Sequence, residues 1–114
     1  MPDSELARLE ALLRIAPLPM AAVRPDGYVL FANDHAFTLF GLRREDNPQQ
    51  TTVEFFSDPA DHERLIAERL AGITDSRELQ MKRADGTPIR VLVSSEMVVA
   101  GGEQLVISGM QDIT

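Results

Sequence analysis

With 114 residues and no cysteine, the chain has room for one self-supporting core and no access to thiolate nucleophiles, iron–sulfur clusters, thiol-adduct flavins or disulfides; a cysteine-free chain also suits a reducing, cytoplasmic setting. A formal net charge of -7 opposes general nucleic-acid binding, which draws its nonspecific affinity from cations that neutralise phosphates. No run of roughly 18 apolar residues occurs, and the opening MPDSELARLEALLRIA mixes acids and bases where a signal peptide has a basic start and an apolar run, so neither membrane insertion nor export is expected.

Asp3 and Ser4 are N-cap candidates for a helix that stops before Pro17, because proline disfavours helical geometry in the residue preceding it. Within it Leu6, Leu9, Leu13 and Ala16 are spaced three, four and three, the a/d seam of about two heptads. Two readings of that seam stay open. The helix lies on its own domain, or it pairs with a second chain, and then Leu6, Leu9 and Leu13 form a dimer interface.

Past PLP the pattern shortens to strands. Met20 to Val23 and Tyr28 to Ala32 flank RPDG, where Pro25 presets a turn and Gly27 accepts positive φ, so the two read as a hairpin. Asn33 has the short side chain that caps a helix, DHAFTLFG, closed by Gly41, with Phe37 and Phe40 on one face toward a core. A polar loop is expected over Asn47 to Thr52, and TVEFF reads as a short helical turn carrying Phe55 and Phe56 inward.

The strongest helix start is SDPADHERLIAERLAG. Asp58 caps it, Pro59 occupies the first turn, Asp61 suits the positive end of the helix dipole and Gly72 provides the exit. Leu65, Ile66, Arg69 and Leu70 are read as its inner stripe. His62, close behind the cap and between Asp61 and Glu63, reads as solvated, as does His35 beside Asp34. A metal site from Asp58, Asp61 and His62 is not expected, since acids at a helix start are explained by the dipole.

Three strands follow: Glu78 to Arg83, Ile89 to Val99 and Gln104 to Ile113, joined by ADGT and AGGE. The middle one carries Ile89, Val91, Val93, Ser95 and Met97 on one face and a semi-apolar set on the other. The first face calls for a helical cover and the second for a partial one, which the N-terminal helix can supply. Leu105 to Met110 is apolar enough for the centre of a sheet, and a chain leaving from there is expected to continue into another domain.

Taken in order, GYVLFANDHAFTLFGL, FFSDPADHERLIAERLAG, RELQMKRADGTPIRVLVS and GMQDIT resemble a PAS sensor domain from Pro19 to Thr114, and the leucine helix is similar to the N-terminal cap that often precedes that core. The resemblance divides the chain into a cap or dimerisation helix, 1–18, and a sensor core, 19–114. It implies an α+β fold: a five-stranded antiparallel sheet in the order 2-1-5-4-3, with short helices over one face and a small cavity between. It further implies a non-catalytic, homodimeric sensory module of bacterial two-component-type signalling. Asp112 and Thr114 would then belong to an exit motif that relays signals to a C-terminal effector such as a histidine kinase or cyclase.

No nucleophile, base and oxyanion site assembles in the sequence, and no Gly-rich phosphate loop occurs, so catalysis is not expected. The cavity is expected to be lined by Phe37, Phe56, Leu65 and Ile66 from the helical segments, and by Leu79, Met81, Val91, Val93 and Ile107 from the strands. Such a lining suits a small ligand or a filled core equally, the latter describing a pure protein-interaction module. Arg77, Arg90 or Ser95 projecting inward would favour a polar or anionic ligand. A third reading is a haem-based gas sensor: His62 is placed similarly to the proximal ligand of haem-binding relatives and Arg77 similarly to their gas-side arginine. Against haem stand the reading of His62 as a solvated first-turn residue and the shortness of the segment between His62 and Arg77. The cofactor, if any, is left unnamed.

Overall fold

The hairpin and the three-strand meander join into one antiparallel sheet. In the computed structural model, which describes residues 2–43 and 52–114, β1 (Met20–Val23) and β2 (Val29–Ala32) are followed by β3 (Arg77–Lys82), β4 (Pro88–Ala100) and β5 (Glu103–Asp112). The strand order is β2-β1-β5-β4-β3, as expected. The last strand is thus central: β5 pairs with β4 from Ala100↔Glu103 to Val91↔Asp112 and with β1 from Met20↔Gly109 to Val23↔Val106.

Local chemistry sets the corners. In RPDG, Gly27 at φ 95° donates its N–H to the Arg24 carbonyl at 2.8 Å, and the Arg24 N–H reaches the Tyr28 carbonyl at 2.9 Å. Asp58 Oδ1 accepts from the Ala60 amide at 3.0 Å, and α3 (Pro59–Leu70) follows. Asn33 caps α2 (Asp34–Leu39), and a 3-10 turn spans Thr52–Phe55.

These three helical pieces roof the sheet's inner face, where the Phe40 and Phe55 rings meet at 5.0 Å above Met81, Val93 and Met110. The remaining helix, α1 (Pro2–Ile15), lies on the outer face. Its leucines explain why. Leu13 is buried, and with Leu6 and Leu9 it borders a cleft shared with Ala22, Leu30 and Phe31 of the outer face. The Leu6–Leu9–Leu13 seam therefore faces its own sheet, whose apolar outer side needs that cover; the stripe left outward is Leu12 and Ile15, 64% and 78% exposed. Because α1 already runs at Pro2, Ser4 sits inside the helix and not ahead of it. The Asp3 side chain and the polar loop up to residue 51 lie outside the described residues.

Asn33 does more than cap. Its Oδ1 accepts from the amides of Met20 and Ala36, both at 3.0 Å, while Nδ2 donates to the carbonyls of Leu13 at 2.9 Å and Leu18 at 2.8 Å. Two acceptor lone pairs and two N–H groups are all used, and one buried amide ties α1, the PLP link, β1 and α2 together.

Candidate functional site

Between the inner face and the roof lies a cavity of about 100 Å³. Six expected residues line it: Phe37, Phe56, Leu65, Ile66, Met81 and Val93. Leu79 and Val91 are buried in the same core without reaching the wall. Ile107 is a correction. It pairs with Ala22 and Glu96 on the outer face, because Val93 opposes Met110 and Ser95 opposes Ser108, and successive side chains alternate along a strand. The inward residues of β5 are Val106, Ser108 and Met110, all on the cavity wall. Ala21, Ala32 and Ala36 contribute short side chains to the same wall.

His62 is the second correction. It is 7% exposed and borders the cavity, because it lies three residues before Leu65 and seven before Arg69, on the buried stripe of α3; Leu70, expected there, is 54% exposed. Its ring meets Phe56 edge-on at 5.2 Å. The RPDG turn presses on the other side: a Cβ built on Gly27 would fall 3.1 Å from His62 Nε2 and 3.4 Å from Thr52 Oγ1, so a side chain there would crowd the imidazole as well as strain the positive φ. Nε2 is buried with no hydrogen-bond partner among the described residues. Burial holds the imidazole pKa below its ordinary value, against the smaller opposing pull of Glu63 and Asp26, so the ring is neutral at neutral pH.

The other inward polar group of α3 is legible in sequence as part of the stripe, though not for what it holds. Arg69 is fully buried, and its Nε donates to Ser95 Oγ at 2.7 Å, Nη1 to the Ile73 carbonyl at 2.6 Å and Nη2 to the Asp75 carbonyl at 2.7 Å. It joins α3, the loop behind it and β4. Ser95 is thereby engaged, and Arg90 is exposed.

Arg77 is not on the cavity wall; its Nε and Nη2 grip both carboxylate oxygens of Glu68 at 3.0 Å. The two residues of the haem reading are therefore not brought together. A cavity of about 100 Å³ is also well short of the roughly 300–1,000 Å³ typical of pockets for drug-sized ligands, and haem does not fit these residues. Asp58 and Asp61 are engaged with the Ala60 amide and with Arg64, at 2.8 Å, while His62 turns inward away from them.

At the end of β5, Asp112 Oδ1 accepts from the Thr114 amide at 2.9 Å and its hydroxyl at 2.6 Å. These bonds, helped by Arg83 at 3.7 Å, hold the Asp112 carboxyl below the usual carboxylate range. Thr114 Oγ1 in turn accepts from the Arg90 amide at 3.1 Å, and the Ile113 amide donates to the Arg90 carbonyl at 2.9 Å. The exit segment is stitched to the start of β4.

The sequence profile of the PAS fold matches residues 7–113. No curated protein matches the sequence. Among solved structures the chain is similar to the PAS domain of an HTR-like protein from Haloarcula marismortui, with 21% identity, 97% of this chain and 93% of that chain covered, and a TM-score of 0.77. It is also similar to the PAS domain of nitrogen regulation protein NR(II) from Vibrio parahaemolyticus, with 17% identity, coverage of 92% and 97%, and a TM-score of 0.74. A third likeness is the PAS domain, in complex with ethanol, of a LuxR-family transcriptional regulator from Burkholderia thailandensis, with 16% identity, coverage of 90% and 95%, and a TM-score of 0.73. At these identities the structural likenesses carry the fold, whereas the profile match spans nearly the whole sequence: the chain belongs to the PAS family.

Proposed function

We propose that this chain is a non-catalytic sensory module of a bacterial-type signalling protein, taking a small molecule into its cavity and relaying occupancy through β5 to a C-terminal effector such as a histidine kinase or cyclase. One observation carries the reading: Val106, Ser108 and Met110 line the cavity and belong to the strand that ends at Asp112. A molecule that shifts those side chains shifts the backbone to which the exit motif is attached. The Vibrio and Burkholderia relatives are parts of regulatory proteins, and the latter holds a molecule small enough for a cavity of this size. The lack of cysteine is compatible with a reducing, cytoplasmic location; among the described residues no helix is long and apolar enough to cross a membrane.

Native mass spectrometry of the purified chain tests the ligand. A reproducible extra mass that is lost on denaturation supports the sensory reading, and a bare chain whose cavity methyl resonances ignore added small molecules counts against it. For the relay, Asp112→Ala in a full-length protein is expected to fold yet disconnect the effector, and a normal response to stimulus would remove Asp112 from the mechanism.

The exposed Leu12 and Ile15 favour a second reading, a homodimer built on the outward stripe of α1 around a filled core. Leu12→Glu with Ile15→Glu lowers the sedimentation coefficient if that stripe pairs, and leaves it unchanged if it does not.

A further inference from the structure

Among the described residues the cavity wall is apolar but for three side chains, and the three differ in what they have left to offer. Thr52 donates its hydroxyl to the Gly27 carbonyl at 3.3 Å. Ser108 contributes the one hydroxyl that the sheet presents to the cavity, its cross-strand neighbour Ser95 being bound to Arg69. His62 brings a buried ring nitrogen with no protein partner among the described residues. A buried polar atom left unpaired costs about 1–3 kcal/mol, so the position asks for a group that the fold itself does not supply.

We infer that the cavity selects a small uncharged molecule carrying one hydroxyl, a short-chain alcohol in chemical class, with its hydrocarbon on the apolar wall and its hydroxyl paired to His62 Nε2. This rests on the reading of the cavity as a ligand site and goes beyond it by naming the recognising atom. Three arguments converge. Size comes first: a cavity of about 150 Å³ is known to hold benzene, so about 100 Å³ holds fewer heavy atoms. Charge comes second. Among the described residues no Lys, Arg, Asp or Glu lines the wall and the imidazole is held neutral, so these residues offer an ionic ligand no counter-charge. Third is hydrogen-bond polarity. A neutral imidazole nitrogen is a donor in one tautomer and an acceptor in the other, and a hydroxyl, which both donates and accepts, satisfies either. A pure hydrocarbon would fill the space and leave Nε2 as it is.

The test is a titration of the whole 114-residue chain, ¹⁵N-labelled at histidine, with 1-propanol at pH 7.5, with xenon as an apolar probe of the same cavity. The alcohol is expected to move the Nε2 resonance of His62 saturably and to leave His35 alone. In His62→Phe it should bind about tenfold more weakly, while xenon shifts the methyl signals of Leu65 and Val106 equally in both proteins. Should His62→Phe not fold, the wild-type Nε2 signal decides by itself. Xenon entering while Nε2 ignores the alcohol, or equal alcohol binding by the two proteins, overturns the hydroxyl assignment and leaves the sensory reading standing. If neither probe perturbs the cavity methyls, the core is filled and both readings fall together.

Discussion

Arg69 and His62 stand seven residues apart on one stripe of α3, both buried and both polar, yet the fold treats them oppositely. The guanidinium is bonded on three sides, to Ser95 and to the carbonyls of Ile73 and Asp75, and it fixes the roof to the sheet. The imidazole borders a cavity and keeps a nitrogen with no partner among the described residues. A polar group whose bonds are all made inside the protein is architecture; one left short at a cavity is available to something else.

The contrast breaks first at Arg69. Arg69→Ala strands a serine hydroxyl and two carbonyls and opens a void, and it is expected to cost about 4 kcal/mol in urea unfolding. A loss no larger than that of a histidine variant would show the pairing to be idle. Next comes Asn33→Ala, expected to cost about 3 kcal/mol by freeing two amides and two carbonyls, and to raise hydrogen exchange along α1 before the sheet loosens.

His62 sharpens the contrast through pH. The unfolded chain takes a proton near the ordinary histidine value of about 6.5, whereas the folded one resists until lower pH. Between those values the unfolded state binds more protons, so stability falls as pH drops below about 6.5 and levels off beneath the folded pKa. His62→Phe should change stability by no more than about 1 kcal/mol at pH 7.5 and should flatten this part of the wild-type slope in thermal melts from pH 7.5 to 5. Identical slopes would mean that the ring is not held neutral. The smallest effect on folding is expected for Asp112→Ala, whose side chain is solvent-facing: a slight shift in the urea midpoint, alongside lost exchange protection at Thr114 and the Arg90 amide.

Most of the architecture is readable because its signals are local. The ADG and AGG turns, the Asp58–Pro59 helix start and the alternation in β4 each follow from residues a few positions apart, and together they fix the strand order once the family resemblance is seen. What escapes a sequence reading depends on parity and on partners distant in sequence. Leu105, Val106 and Ile107 are all apolar, so nothing in that run says which face each takes, and Ile107 falls on the face opposite to the expected one. His62 sits among Asp61, Glu63 and Arg64, and that charged setting masks the three-and-seven spacing to Leu65 and Arg69 that turns it inward. The α1 seam likewise carries no mark of what it covers; the apolar outer face of β1 and β2 decides it. Asn33 is legible as a cap, but the bonds that reach back to Leu13 and Leu18 are not.

The two ends of β5 have unlike surroundings. Leu105 and Val106 are adjacent, point to opposite faces and are both almost wholly shielded from solvent, whereas Gln111 and Asp112 stand in water. Its root is gripped by side-chain packing on both faces, whereas its tip is held by ladder pairing to β4 and by the bonds among Asp112, Thr114 and Arg90. Water can compete for the bonds at the tip but not for the packing at the root, so amide exchange along β5 is expected to begin at Gln111 and Asp112.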